Sequence, residues 1–514
     1  MSVRTFAAID VGSFELSMKI FEFTAKNSMR EIDCIRQRLD LGSDTYANGK
    51  ISKEKLDELC RALREFSGIM RAYRVDAYKA YGTSAVRETE NFTIVQDQVE
   101  QRTGIKVEIL SNSEQRFLNY KAIALKGEIF RRIIEEKTAI VDIGGGSIQL
   151  SLFDNDTLVS TQNLRLGVLR LQEHLNHLNA KRAQVANLID EMASAQLSTY
   201  KKLYLKDRVI QNIIIVDDYI SPWAVKKLGR DGQPMTDTKE FEGLLETLKN
   251  KSSSEISIAM DIPEEKVPLV LISALLTKRI AELMGAEKIW APGVTLCDGI
   301  AYEYAEKMKL FKGEHDFEKD ITACAVNISK RYQGSRKRAE TLEKITTTIY
   351  DSMKRVHGLG RRERLYLQIA AILHDCGKYI SMVNIGETSY NIIMSTEIIG
   401  LSHLEREIVA NVVRFNHSPF LYYGQIQAGR STLDKESYLI VAKLTAILRL
   451  ANSLDRSHKQ KLGSIKASLR ENQLILTVDT LEDITLEKGF FEWRADFFQE
   501  VFSVTPVLKQ RKNF

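Results

Sequence analysis

Two stretches of the chain place an aspartate and glycines directly after an apolar run: FAAIDVGSFELSMKIFE at 6–22 and TAIVDIGGGSIQLSLF at 138–153. Phosphoryl transfer needs neutralised phosphate oxygens and an attacking water held in line. Converging backbone N–H groups of a glycine turn supply the first, and a carboxylate at a strand end can hold a hard cation such as Mg2+. Asp10 and Asp142 are therefore the leading metal-holding or water-orienting carboxylates, with Gly12, Ser13, Gly144, Gly145, Gly146 and Ser147 as the cradle. Either hairpin alone reads as an ordinary strand turn. Two copies facing each other across a cleft would grip one phosphate from both sides.

These turns need strands to carry them. Phe6–Val11 and Ala139–Ile143 read as buried strands, and Leu16, Met18, Ile20 and Ile148, Leu150, Leu152 recur with the period of two. Around them strands are expected at 76–84, 106–111, 209–216 and 287–290. Helices are expected from Ser52 to about Tyr73, after a cap at Ser113, over 264–284 and after Gly293. From about Glu314 to Ser457 helical spacing takes over, as in ERLYLQIAAILHD. Alternation returns in SIKASLRENQLILTV, with a turn at Arg470-Glu471-Asn472 and a helix near 490–502.

The fold class read from this pattern is α/β plus α. The expected domains are 1–127 and 128–310, two α/β lobes; 311–462, all helical; and 463–514, a small α+β tail. The 514 residues are 44% hydrophobic and 27% charged, which excludes disorder and fibrous classes. Lysine plus arginine exceed the acids only by 73 to 68, so no specific nucleic-acid partner is expected. Cys34, Cys60, Cys297, Cys324 and Cys376 show no CxxC spacing, MSVRTFAAIDVG lacks a long apolar segment, and VPLVLISALL is too short to span a bilayer. A cytoplasmic protein without a membrane partner is expected.

The chain resembles the exopolyphosphatase and guanosine pentaphosphate phosphatase family, within the actin-like (ribonuclease H-like) superfamily. The matching stretches are AAIDVGSFELSMKIF, YGTSAVRETEN, VEILSNSEQRFLNY, AIVDIGGGSIQLSLF, LRLGVLRL and GVTLCDGIAYEYA, in family order. The resemblance implies two actin-like lobes and a hydrolase that releases terminal phosphate from inorganic polyphosphate or the 5′ phosphate of guanosine pentaphosphate. It also implies Mg2+ or Mn2+ as cofactor and a homodimer. Glu114 matches the family's catalytic glutamate and, with Asp10 and Asp142, would complete the catalytic and metal-holding set, although an acidic residue at a helix start also serves the helix dipole. Arg87, Thr83 and Ser84 match phosphate contacts; Arg170 reads equally as a phosphate contact or a helix-face charge.

Three departures stand out: Phe14 where the family has asparagine, Gln149 where it has an acid in the phosphate cradle, and VDDYISPW at 216–223, whose Asp217 and Asp218 would repel phosphate. They leave open a catalytically weakened polyphosphate- or nucleotide-binding sensor. LHDCGKYI and LRLANSLDRSH resemble the family's HD-like helical domain, with His374, Asp375 and Asp455 as remnants of a metal cage. Arg338 stands where an upstream histidine is expected, which opposes a metal and favours a structural His374-Asp375 pair. The basic run RYQGSRKR at 331–338 reads either as a polyanion channel or as a solvated helix face.

Overall fold

The structure is a computed structural model that describes residues 4–24, 28–221, 235–428 and 433–511. The chain divides into two compact units, Met1–Asp316 and Phe317–Phe514.

The first unit holds two sheets with one plan. In the first sheet, β1 (Arg4–Val11), β2 (Glu15–Thr24), β3 (Ser28–Arg38), β4 (Ala77–Gly82) and β5 (Val107–Ile109) take the order β3-β2-β1-β4-β5. The second contains β6 (Thr138–Ile143), β7 (Ile148–Phe153), β8 (Leu158–Leu164), β9 (Asn212–Asp217), β10 (Met235–Asp237) and β11 (Lys288–Trp290), ordered β10-β11-β9-β6-β7-β8. In both, the aspartate-bearing strand is central, paired antiparallel to the strand after its turn and parallel to a later one. Asp10 faces Ser17 and Tyr81 in register, and Asp142 faces Gln149 and Val216. Each aspartate thus lies near the carboxyl end of a central strand, where α/β sheets present ligands. β6, β7 and β9 are buried throughout, as strands covered on both faces are.

Helix Lys53–Ala72 begins at Ser52, whose side chain accepts the Lys55 N–H, and it buries Leu56, Leu59, Leu63 and Phe66. The next cap differs from the expected one. Ser111, not Ser113, caps Asn112–Ala124, and Glu114 returns a bond to the Ser111 N–H at 2.9 Å. The Ser-x-x-Glu spacing makes this capping box, since only a residue three before Glu114 can exchange both bonds with it. The strand before it is correspondingly short, Val107–Ile109.

Helix Leu296–Lys307 follows the second sheet in sequence yet packs against β1, β2 and Asn112–Ala124. Its Ile300 and Ala301 join Phe6, Ala8, Phe21 and Leu118 in one apolar cluster. Buried Lys19 donates to Asp298 at 3.0 and 3.1 Å and pairs with Glu31 at 2.9 Å, fixing the helix on β2. Gly299 permits the close approach, because a Cβ there would lie 2.0 Å from the Leu118 carbonyl oxygen.

The second unit is helical from Phe317 to Ser453, around Arg336–Ser352, Arg361–Leu373, His403–His417 and Lys435–Ser453. It ends in a three-stranded sheet, β12 (Ser464–Arg470), β13 (Gln473–Asp479) and β14 (Thr505–Arg511), with Thr485–Phe502 packed on Lys435–Ser453. The β12–β13 turn puts Glu471 at φ +49°. Among the described residues no helix is long and apolar enough to cross a membrane.

Gly299→Ala must force Leu118 backbone and helix Leu296–Lys307 apart. It is expected to cost about 1–3 kcal/mol or more, read as a lower denaturation midpoint for the first unit by circular dichroism and limited proteolysis.

Candidate active site

A cleft between the two sheets is lined by both turns: Asp10, Gly12, Ser13 and Phe14 from the first, Asp142, Gly144, Gly145 and Ser147 from the second. The turns touch. A Cβ on Gly145 would lie 2.9 Å from Ser13 Cβ, and one on Gly146 would lie 2.1 Å from Ser84 Oγ and 2.6 Å from Tyr46 Oη. A side chain at Gly145 would wedge the two turns apart, and one at Gly146 would drive into Ser84 and Tyr46.

Helix Val168–His177 holds the second turn. Its first N–H groups, which have no partner inside a helix, donate outward: Val168 to the Gly144 carbonyl, and Leu169 and Arg170 to that of Gly145. Arg170 Nε donates to the Gly146 carbonyl at 3.0 Å, its guanidinium lies over the Tyr46 ring, and it pairs with Glu88 of the first lobe at 2.5 Å. Arg170 is thus a support of the turn. With the carbonyls tied back, the Gly145 and Gly146 N–H groups make no hydrogen bond within the chain among the described residues, leaving donors for an anion. Gly167 lets the helix approach, since its Cβ would lie within 2.3 Å of three backbone atoms of Gly145, Gly146 and Ser147.

The carboxylates are arranged against water. Asp10 Oδ1 is shut off from solvent with no hydrogen-bond partner among the described residues, and burial, with Asp218, Glu15 and Asp142 nearby, holds its carboxyl well above the usual range. Burial pushes Asp142 up to about 7, against a bond from Asn119 Nδ2 to its Oδ2 at 2.5 Å. Burial and neighbouring carboxylates both disfavour the ionised form. Asp217 and Asp218 both line the cleft beside them. Asp217 is in addition tied to its own loop, accepting the N–H groups of Ile220 and Ser221 and the Ser273 hydroxyl.

Other expected contacts are placed differently. The Ser13 hydroxyl accepts the Ala85 N–H, Ser84 donates to Glu88, and Thr83 bonds the Val11 carbonyl, all at the cleft wall. Arg87 donates to the Leu110 carbonyl at 2.7 Å and to Gln115 Oε1 at 3.3 Å, behind the cleft. Glu114 is engaged in its capping box; Gln115 and Asn119, one turn apart on the same helix, line the cleft. Gln149 lines it too, with its Oε1 accepting from buried Arg116 at 3.2 Å. Gln115, Asn119 and Tyr219 escaped the sequence reading. The i, i+4 spacing of Gln115 and Asn119, which puts two amides on one helix face, was the available signal for that pair.

In the second unit, Arg338 is buried with Nε 3.7 Å from Asp455 Oδ2 and donates to Asn452 Oδ1 at 2.6 Å. His374 Nδ1–H donates to the Ala371 carbonyl, and His417 Nε2–H to that of His374. His374 Nε2 lies 3.6 Å from Asp375 Oδ2. Burial holds His374 at about 3 and His417 at about 4, so both are neutral. Among the described residues no cluster of three or more His, Cys, Asp or Glu groups could hold a metal.

Residues 20–308 match the family model described as Ppx/GppA phosphatase family, and residues 322–492 match Ppx/GppA phosphatase, domain III. The chain belongs to the Ppx/GppA phosphatase family. A guanosine-5'-triphosphate,3'-diphosphate pyrophosphatase of Vibrio atlanticus is 22% identical over 93% of this chain and 92% of its own. Exopolyphosphatase 1 of Mycobacterium tuberculosis is 29% identical over 35% of this chain and 52% of its own. The solved exopolyphosphatase of Cytophaga hutchinsonii, 18% identical, covers 60% of this chain and all of its own with a TM-score of 0.50. The duplicated sheets are accordingly the actin-like fold of the Ppx/GppA proteins.

Gly167→Ala is expected to push the helix off the glycine turn and lower phosphate release at least tenfold while circular dichroism stays folded. The buried histidines give a second expectation. Each binds its proton more weakly folded than unfolded, so their contribution to stability is present above about pH 6.5 and is lost as pH falls toward 4. His374→Gln should flatten that part of the pH–stability curve of the second unit.

Proposed function

We propose that this cleft hydrolyses the terminal phosphoanhydride of inorganic polyphosphate or guanosine pentaphosphate. The observation that carries this reading is the Asp10 carboxylate oxygen buried without a partner beneath two opposed glycine turns. A phosphoanhydride end brings oxygens for the turn N–H groups and, with it, a cation for the acids. The residues suit such a cation in kind, because the Asp10 and Asp218 carboxylates are hard oxygen donors lining the cleft and Asp10 Oδ1 is buried without a partner among the described residues. Asp10 and Asp218 would hold Mg2+ or Mn2+, which when bound neutralises charge on bridging phosphate oxygens.

The chain's own groups do the rest. Gly145 and Gly146 orient the terminal phosphate. Asn119 engages Asp142 Oδ2, leaving Oδ1 to accept the proton of the attacking water, and the raised affinity of Asp142 for a proton suits a base working near neutral pH. In the second unit Arg338 takes the place of a cation between Asp375 and Asp455, so the helical segment is read as an HD-like remnant without metal. The resemblance to the family supports a homodimer. All five cysteines are free, which supports a reducing, cytoplasmic setting.

A second reading is binding without turnover. It is favoured by the neutral Gln115 and Gln149 on the cleft wall and by Glu114 being committed to its cap. Phosphate release from polyphosphate and guanosine pentaphosphate, with Mg2+ and with chelator, separates the two: release that stops on chelation supports hydrolysis, and tight binding with no release supports the sensor. Asp142→Asn is expected to lower release at least ~100-fold. Glu114→Gln, which preserves the cap because glutamine serves at that position, should leave the rate within about threefold; a collapse would return the proton to Glu114.

A further inference from the structure

Away from the phosphate cleft, a chamber of about 930 Å³ opens on the second lobe between helix Val168–His177, the start of helix Val185–Tyr200 and helix Val267–Met284. It shares no lining residue with the cleft. Leu175, Val267 and Ile272 form its buried part, and Val185, Leu271 and Leu275 stand half-buried in its wall. An apolar surface of this extent facing water marks a ligand groove or an interface.

Charge decides which occupant fits. The charged residues lining the chamber, Arg182 and Lys249, are both cations, and no carboxylate lines it among the described residues. They share one stretch of rim, because Arg182 donates to the Lys251 carbonyl, two residues from Lys249 and from Ser253. The neighbouring acids stand outside the wall: exposed Glu246 pairs with Lys249 at 2.7 Å, and Glu255 accepts the Ser252 N–H at 2.7 Å. A guanidinium carries five N–H donors, so one carbonyl leaves Arg182 able to take an oxyanion. A polyphosphate, charged along its whole length, would have to bury charge against leucines. A neutral hydrocarbon would leave the cations unused.

We infer that this chamber binds a carboxylate with an unbranched hydrocarbon chain, its head on Arg182 and Lys249 and its chain along Leu175, Leu271 and Leu275. Two of the helices also reach the cleft. Helix Val168–His177 gives Gln172, Leu175 and Asn176 to the chamber while its first N–H groups hold the Gly144 and Gly145 carbonyls. Helix Val267–Met284 gives Leu271 and Leu275, and between them Ser273 donates to Asp217 in the cleft lining. The two helices pack on each other. A bound chain therefore acts on the turn that orients the terminal phosphate. That consequence, unlike the binding itself, rests on the proposed hydrolysis.

The test titrates decanoate, hexanoate and decanol into the full chain by calorimetry. Decanoate should saturate at one per chain and bind at least tenfold more tightly than hexanoate, since each buried methylene adds about threefold. Arg182→Glu combined with Lys249→Glu should weaken decanoate at least tenfold, the loss expected for charge-assisted hydrogen bonds to a carboxylate, and leave decanol within about twofold. Ala183→Trp, at an exposed lining position, should weaken both. No saturable decanoate binding, equal affinity for hexanoate, or an affinity indifferent to charge reversal overturns the inference. Absent decanoate binding together with a lower sedimentation coefficient for Ala183→Trp gives the wall to a second copy of the chain and overturns it equally. In phosphate release from polyphosphate, saturating decanoate should change kcat/KM by about fivefold or more for the unaltered protein and not for the charge-reversed one. A rate unmoved by bound decanoate refutes the link to the turn. If no phosphate is released at all, the hydrolase reading fails by itself, and the titrations still decide the chamber.

Discussion

Everything in the cleft depends on the backbone of one glycine turn being held open by a helix end. The N–H groups of Val168, Leu169 and Arg170 take the carbonyls of Gly144 and Gly145, and Arg170 takes that of Gly146. A flexible triple glycine would otherwise lose considerable conformational entropy on ordering. Here that ordering is set by the chain's own bonds, and the Gly145 and Gly146 N–H groups are left without a backbone partner among the described residues. The arrangement also requires three glycines, Gly145 and Gly146 in the turn and Gly167 opposite, because Cβ atoms there would collide with backbone or facing side chains.

The acids pose the complementary problem. Burying carboxylates without counter-charge raises their proton affinity, and Asp10 and Asp142 both show it. Asp217 shows it too, although it accepts hydrogen bonds from its own loop, while Glu15 pairs with Arg36 and Lys266. What remains, Asp10, Asp142 and Asp218, is a concentrated negative site beneath neutral donors. That combination suits a phosphate only together with a positive partner, and the chain supplies no lysine or arginine at that point among the cleft-lining residues apart from Lys266.

The hairpins, their register and the helical second half were legible in the sequence because periodicity and strand-end glycines are local signals. Asp10 and Asp142 came together as the repeat implied. What escaped were relations between distant segments and single-residue offsets. The cap lies at Ser111 rather than Ser113, and with about 100° between successive helical residues it is Gln115, not Glu114, that stands in the cleft lining. The assignment of Arg170 to a turn's carbonyls, and the burial of Asp217's charge in its own loop, depend on tertiary hydrogen bonds that no spacing announces. The return of Leu296–Lys307 to the first sheet was equally invisible, since its apolar face reads the same whichever sheet it covers.

That return has a mechanical consequence. The polypeptide passes between the sheets twice, once before β6 and again between β11 and Leu296, and the second passage carries Val294, Thr295 and Leu296 along the cleft wall. Two covalent crossings restrict relative movement of the lobes to rotation about the line joining them. Widening the cleft therefore turns Thr295, which lies three residues before the Asp298 that anchors the returning helix to Lys19 of β2, so the hinge and the anchor are neighbours in the chain.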